Sequence, residues 1–125
     1  MGHQYSFEKL NVWLESRNLV RWICRVTTTF PPDERFGLIM QLRRAAISVV
    51  SNLGEGSARK SPKDQAHFTQ IAYSSLIEIL NQLIIANDLS FLSDELLIEG
   101  RTKIETHTSQ IAALRTSQLV KGKLS

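Results

Sequence analysis

Apolar residues recur at spacings of three and four along almost the whole 125-residue chain, and no run of residues alternates cleanly between apolar and polar. That period belongs to amphipathic helices and argues against strands. In a first segment, roughly residues 7–28, Val12, Ser16, Leu19, Ile23 and Val26 form one stripe that Trp13 and Val20 widen. Pro31 and Pro32 must end it, because proline lacks an N–H and disfavours helix for the residue before it. Asp33 and Glu34 then place negative charge in what the pattern predicts as the first turn of a second helix, roughly 33–55. Gly56 suits a left-handed stop for that helix. Ser61 as N-cap, Pro62 at the first helical position and Asp64 three residues after the serine sign the start of a third helix, roughly 62–87. Ser93 caps a fourth, roughly 93–120, whose Leu97, Ile104 and Ile111 stand one heptad apart. Residues 121–125 are expected to fray. Connections this short force neighbouring helices to run antiparallel, so the expected fold is an all-α, single-domain, up-down-up-down four-helix bundle over residues 1–125.

Two of these helices are apolar over too much of their circumference. Leu38, Leu42, Ala45, Ala46, Val49, Val50 and Leu53 occupy one side of the second helix, and Ile39 and Ile47 extend that side beyond a single buried stripe. On the third helix, Phe68, Ala72, Leu76, Ile79, Leu80, Leu83 and Ile84 cover about half the wheel, with Tyr73 and Ile77 on the flank. Either these two helices are central in the bundle or the chain self-associates. The apolar patch a lone domain would expose favours the second, which predicts a homo-oligomer that uses the second and third helices.

Opposite that apolar side, Gln41, Arg44, Ser48, Ser51, Asn52 and Glu55 share about a third of the circumference of the second helix. Two readings stay open. In one, Arg44 and Glu55 line a wet groove bridged by Ser48 and Asn52, and Glu55 pairs with Arg59 or Arg44. In the other, the stripe continues into a basic groove. The chain is formally +3, with an isoelectric point near 9.3. Between residues 43 and 63 the cations Arg43, Arg44, Arg59, Lys60 and Lys63 face the lone acid Glu55, so the basic excess is local. Arginine forks and the helix start at Ser61 both suit phosphate, making these five cations the candidate nucleic-acid-binding residues, with RNA as the candidate ligand. The competing expectation is a protein-interaction scaffold with a polypeptide partner and no nucleic acid.

Catalytic and metal chemistry find little footing. His3, His67 and His107 lie far apart, the Glu-x-x-His motif of di-iron bundles is missing, and "GEGSARKS" lacks the spacing and preceding strand of a phosphate-binding loop. No cofactor, metal or catalytic residue is expected. The lone Cys24 cannot form an intramolecular disulfide and reads as a small core residue. Trp13, Trp22 and the phenylalanines sit at core spacing and read as packing residues, with no base-stacking platform among them. No signal-peptide layout or membrane-length apolar run is visible, so a cytoplasmic protein is expected.

The segments "FEKLNVW", "FPPDERFGLIMQLRRAAISVVSNLGEG", "ARKSPKD" and "IAYSSLIEI" resemble the four-helix-bundle proteins encoded in 23S ribosomal RNA intervening sequences. The likeness covers about the first three-quarters of the chain. It rests on the spacing from Gln41-Leu42-Arg43-Arg44-Ala45 through Asn52-x-x-Glu55-Gly56 to Arg59, with Ser61 just beyond. Gly54 stands where such proteins more often carry alanine, and Ser74 where they often carry glycine. The resemblance implies a left-handed bundle assembling as a homopentameric ring, with no known catalytic activity. The ribosomal label reflects where some such genes lie. The chain is also distantly similar to the accessory proteins of diversity-generating retroelements, basic pentamers that bind a reverse transcriptase and nucleic acid, a likeness at the level of fold.

Overall fold

A computed structural model describes residues 2–124, of which Leu124 is described in its backbone alone. Four helices account for most of them: α1 Asn11–Thr27, α2 Leu38–Ser57, α3 Pro62–Asp88 and α4 Asp94–Leu124. Short 3-10 turns at Ser6–Lys9 and Pro32–Glu34 precede α1 and α2.

Every neighbouring pair runs antiparallel, as the residues that meet across each pair show. Along α2 and α3, Gly56 meets Phe68, Ser48 meets Ser75 and Gln41 meets Gln82. Along α3 and α4, Pro62 approaches Gly122, Thr69 bonds Gln118 and Leu83 touches Gly100. Gly54 of α2 lies against Trp13 of α1, while Arg43 reaches Thr27 at the far end of the same pair. Trp22 of α1 packs on Gly100 of α4, which closes the ring of four helices. The core is continuous: Val12, Leu19, Trp22, Ile23 and Val26 from α1 meet Leu42, Val49 and Leu53 from α2, Leu76, Ile79 and Leu83 from α3, and Ile104 and Ile111 from α4.

The ends of the helices show where periodicity misleads. The 3-10 turn around Phe7 is separate from α1, because Leu10 is extended between them. Asp33 and Glu34 occupy the second 3-10 turn, and α2 starts only at Leu38, whose N–H donates to Glu34 Oε2 at 3.3 Å. Gly56 does not terminate α2 in a left-handed conformation; it is helical and buried, and no glycine among the described residues has positive φ. A Cβ there would come within 2.9 Å of Phe68 Cβ, so the glycine permits close approach of α3 to the end of α2.

Ser61 caps α3 as expected, its Oγ accepting from the Asp64 N–H at 3.1 Å. The turn after α3 puts Ser90 at φ 64°, where glycine is usual, and Phe91 and Leu92 donate back to Ala86 O to stop the helix. Ser93 Oγ then accepts from Leu96 N–H at the start of α4. Residues 121–124 continue α4 where fraying was expected, and Ser125 lies outside the described residues. Cys24 is only half-buried.

Candidate nucleic-acid interface

The polar stripe of α2 divides once α3 is in place. Ser48 and Ser75 share a hydrogen bond of 2.9 Å, Asn52 Nδ2 donates to Ser48 O at 2.8 Å and Oγ at 3.0 Å, and Gln82 Nε2 donates to Glu78 at 3.1 Å and Gln41 at 3.4 Å. These groups form a polar seam between two helices, where mutual bonding offsets most of their loss of water, Gln82 Oε1 alone among them being buried without a partner. Arg44, Ser51 and Glu55 point outward and are exposed. The expected pairing of Glu55 with Arg59 or Arg44 is not made: among the described residues no ion pair or hydrogen bond engages the Glu55 carboxylate. The reason is positional. Arg59 lies beyond the end of α2 with its guanidinium over the Phe68 ring, 4.5 Å from the centroid, and Arg44 is about 16 Å away along the helix axis.

The five candidate cations separate into three settings. Arg43 is half-buried and turned toward α1: its Nε donates to Thr27 Oγ1 at 3.0 Å and its Nη2 to Cys24 O at 3.3 Å, tying down the last turn of that helix. Arg44 is exposed midway along α2. Arg59, Lys60 and Lys63 lie together at the α2–α3 connection, all exposed. There the Gln65 amide donates to Arg59 O at 2.8 Å and fixes the backbone of the loop.

The antiparallel fold adds cations to that last cluster. The C-terminus of α4 returns to the start of α3, where a Cβ at Gly122 would lie 3.6 Å from Pro62 Cβ, so Lys121 and Lys123 project from the same end as Lys63. Lys9, just before α1, is exposed at this end as well. Opposing acids are few: Glu55, Asp64 and Glu8, the last of which accepts from Tyr5 N–H at 2.7 Å. The other end is net acidic, carrying Asp33, Glu34, Asp88, Asp94 and Glu95 against Arg25 and Arg35. Both ends of this dipolar arrangement are solvent-facing, and charges within a Debye length of about 8–10 Å add to one local potential. Lys9, Lys121 and Lys123 carry no sequence mark linking them to Arg59, because they lie far from it along the chain.

The model of the 23S rRNA-intervening sequence protein family matches residues 8–113. The chain belongs to this family. No individual curated protein matches it.

In this intervening-sequence protein the matched stretch spans α1, α2, α3 and most of α4, and includes Arg59, Lys60 and Lys63; Lys121 and Lys123 lie beyond it. Among the described residues no group of His, Cys, Asp or Glu is arranged to hold a metal ion. His107 is buried on α4, its Nδ1 2.7 Å from Lys103 O, while His67 is exposed on α3, so the two share no site. Among the described residues no helix is long and apolar enough to cross a membrane.

Aromatic residues gather at the basic end. Tyr5, Phe7 and Trp13 form a row, with Tyr5 and Phe7 stacked at 6.2 Å between centroids and Phe7 edge-on to Trp13 at 4.9 Å. They border a cavity of about 500 Å³ together with Ser51, Gly54, Glu55 and Ala58. Core spacing describes Trp22, which is buried, but Trp13 is half-buried and Tyr5 is 60% exposed. Both tryptophans pack on the core as their spacing implies, Trp22 fully buried and Trp13 with one part of its ring left at the cavity. The signal that could have separated them was the Leu10 break, which lets the first turn fold back over α2.

Proposed function

We propose that this is a non-enzymatic, cytoplasmic, homo-oligomeric protein that binds RNA through the basic end of its bundle. The observation that carries the reading is the convergence of Arg59, Lys60, Lys63, Lys121, Lys123 and Lys9 at one end, from sequence positions spread across the chain. Phosphate neutralisation by these groups releases counterions, which makes affinity fall as salt rises. The start of α3 adds N–H groups beside Lys63. Arg44 extends the binding surface along α2, and Arg43 serves the fold.

Oligomerisation multiplies that field. Met40 and Ile47 on α2, at 37% and 53% exposure, and Ile77 and Ile85 on α3, at 42% and 46%, leave apolar flanks that neighbouring subunits would cover. The five-membered ring implied by the resemblance would present five basic ends together and raise avidity. Light scattering at micromolar concentration should return a multiple of the 14.2 kDa chain mass. A monomeric mass removes this part of the reading.

Titrating a structured RNA across salt concentrations tests the rest. In the double variant Arg59→Ala/Lys60→Ala, the slope of log affinity against log salt should shrink by roughly two units per chain, one for each phosphate no longer neutralised. An unchanged slope and affinity would exclude this end as the RNA site. The same exposed isoleucines favour a second reading, a scaffold whose partner is a polypeptide. Nucleic acid retained by the purified protein supports the first reading, and a stoichiometric second polypeptide with no nucleic acid supports the scaffold.

A further inference from the structure

We infer that the cavity beside the first 3-10 turn is a nucleobase pocket, and that it takes an unpaired guanine from an RNA strand held at the basic end. This rests on the RNA-binding reading above and gives it a base preference. The cavity, about 500 Å³, lies within the size range of small-ligand sites. Its walls are aromatic. Tyr5 and Phe7 are nearly parallel, 18° apart, and Trp13 stands at 70° to Phe7 as a side wall. Bases stack on such rings whatever their sequence. Arg17 sits over the Trp13 ring at 5.1 Å from the centroid, holding the indole and adding positive charge next to the opening.

Glu55 supplies the selectivity. It lines the cavity from the last full turn of α2, its carboxylate is exposed, and no hydrogen bond or ion pair engages it among the described residues. An ionised carboxylate offers two acceptor oxygens and no donor. Guanine is the one common base whose Watson–Crick edge carries two adjacent donors, N1–H and N2–H₂, so a bidentate pair is available to it and to no other. The strand's phosphates would meet the exposed cations just beyond the cavity: Ala58 lines it, and Arg59, with its guanidinium over Phe68, and Lys60 follow in the same connection.

Gly54 completes the pocket. It lies inside α2, where glycine disfavours helix, yet a Cβ there would meet Trp13 Nε1 at 3.5 Å and Phe7 Cδ2 at 3.7 Å, both ordinary distances. Packing does not require glycine. Its missing methyl leaves a methyl-sized space in the cavity wall, against the edges of the two rings.

The experiment uses the full chain and short single-stranded RNAs of uridine carrying one central guanine, inosine or adenine. Binding is read by anisotropy, and base insertion by acrylamide quenching of tryptophan emission, which reports the half-exposed Trp13 because Trp22 is buried. The guanine strand should bind on the order of tenfold more tightly than the adenine strand, the discrimination that one bidentate pair supplies, with inosine between them because it keeps N1–H and lacks the 2-amino donor. Trp13 should be protected most by the guanine strand at equal occupancy, because the Glu55 pair holds that base in the pocket while the others stack there only transiently. Glu55→Gln should erase the guanine preference while raising the salt-dependent affinity for all three strands, since one opposing negative charge is removed, and Gly54→Ala should fold normally yet lose most of the protection. Equal binding of all three strands, with Trp13 unprotected and binding still sensitive to Arg59→Ala/Lys60→Ala, would overturn the pocket and spare the basic end. No binding by any strand or by structured RNA overturns both. Protection of Trp13 by a co-purifying polypeptide in RNA-free protein also overturns the pocket.

Discussion

At the acidic end, Phe30 and Leu92 close over the core as buried residues with Phe91 packed beside Phe30 at 6.0 Å, although Phe36 and Leu89 stay exposed and Phe30 borders a smaller cavity of about 310 Å³. At the basic end Tyr5, Phe7 and Trp13 stand around a cavity of about 500 Å³. The turns differ in the same sense. The α3–α4 turn is tied inward by Asn87, whose amide donates to Leu92 O at 2.9 Å and Asp94 at 2.7 Å; the α2–α3 connection turns Arg59, Lys60 and Lys63 outward. Side chains that seal one end contribute chiefly to stability. Those that frame the other leave an open surface, which is where the proposed RNA site is placed.

The largest effect should come from opening the sealed end. Phe30→Ala should lower the unfolding free energy by about 3–5 kcal/mol in urea, whereas Phe7→Ala, at the open end, should cost no more than about 2 kcal/mol because its ring is half-buried. Equal losses would erase the distinction between the ends. Arg43→Ala comes next, at about 2 kcal/mol for the bonds to Thr27 and Cys24, and RNA affinity should stay within about twofold of the parent. A tenfold loss of RNA binding in that variant would return Arg43 to the interface.

Smaller effects sharpen the comparison of the two turns. Ser61→Ala should cost about 1 kcal/mol through loss of the α3 cap, read as a lower denaturation midpoint. Ser90→Gly should instead raise stability by about 1 kcal/mol, since glycine adopts φ 64° without the Cβ penalty. The smallest effect on folding belongs to the cations: Arg59→Ala/Lys60→Ala should change thermal stability by less than about 0.5 kcal/mol while altering RNA binding, as expected of exposed groups. A large loss of stability there would mean that these side chains hold the connection together.

Much of this was legible along the chain. Val12, Ser16, Leu19, Ile23 and Val26 are all buried, as their spacing requires, and Ser61 caps α3 where its motif places it. The fourth helix was legible in its core positions, with Ile104 and Ile111 fully enclosed. Other features were not. Gly56 reads as a stop and is instead a point of close approach, because its role depends on how near Phe68 comes from another helix. Gly100 had no local signal at all, yet a Cβ there would lie 2.7 Å from Trp22 and 2.9 Å from Leu83. The polar stripe of α2 was seen as one face and is two, since only the position of α3 decides that Ser48 and Asn52 turn inward to a seam while Arg44 and Glu55 meet solvent.

By itself, then, the sequence determined the helices, their buried stripes and their antiparallel order, because periodicity, capping residues and short connections act over a few residues and read out locally. Tertiary structure alone decided which cations share an end, which tryptophan faces a cavity and which carboxylate stays unpaired. Charge adds through space, and the fold returns Lys121 and Lys123 to the end of the bundle where Lys60 and Lys63 lie, from far along the chain.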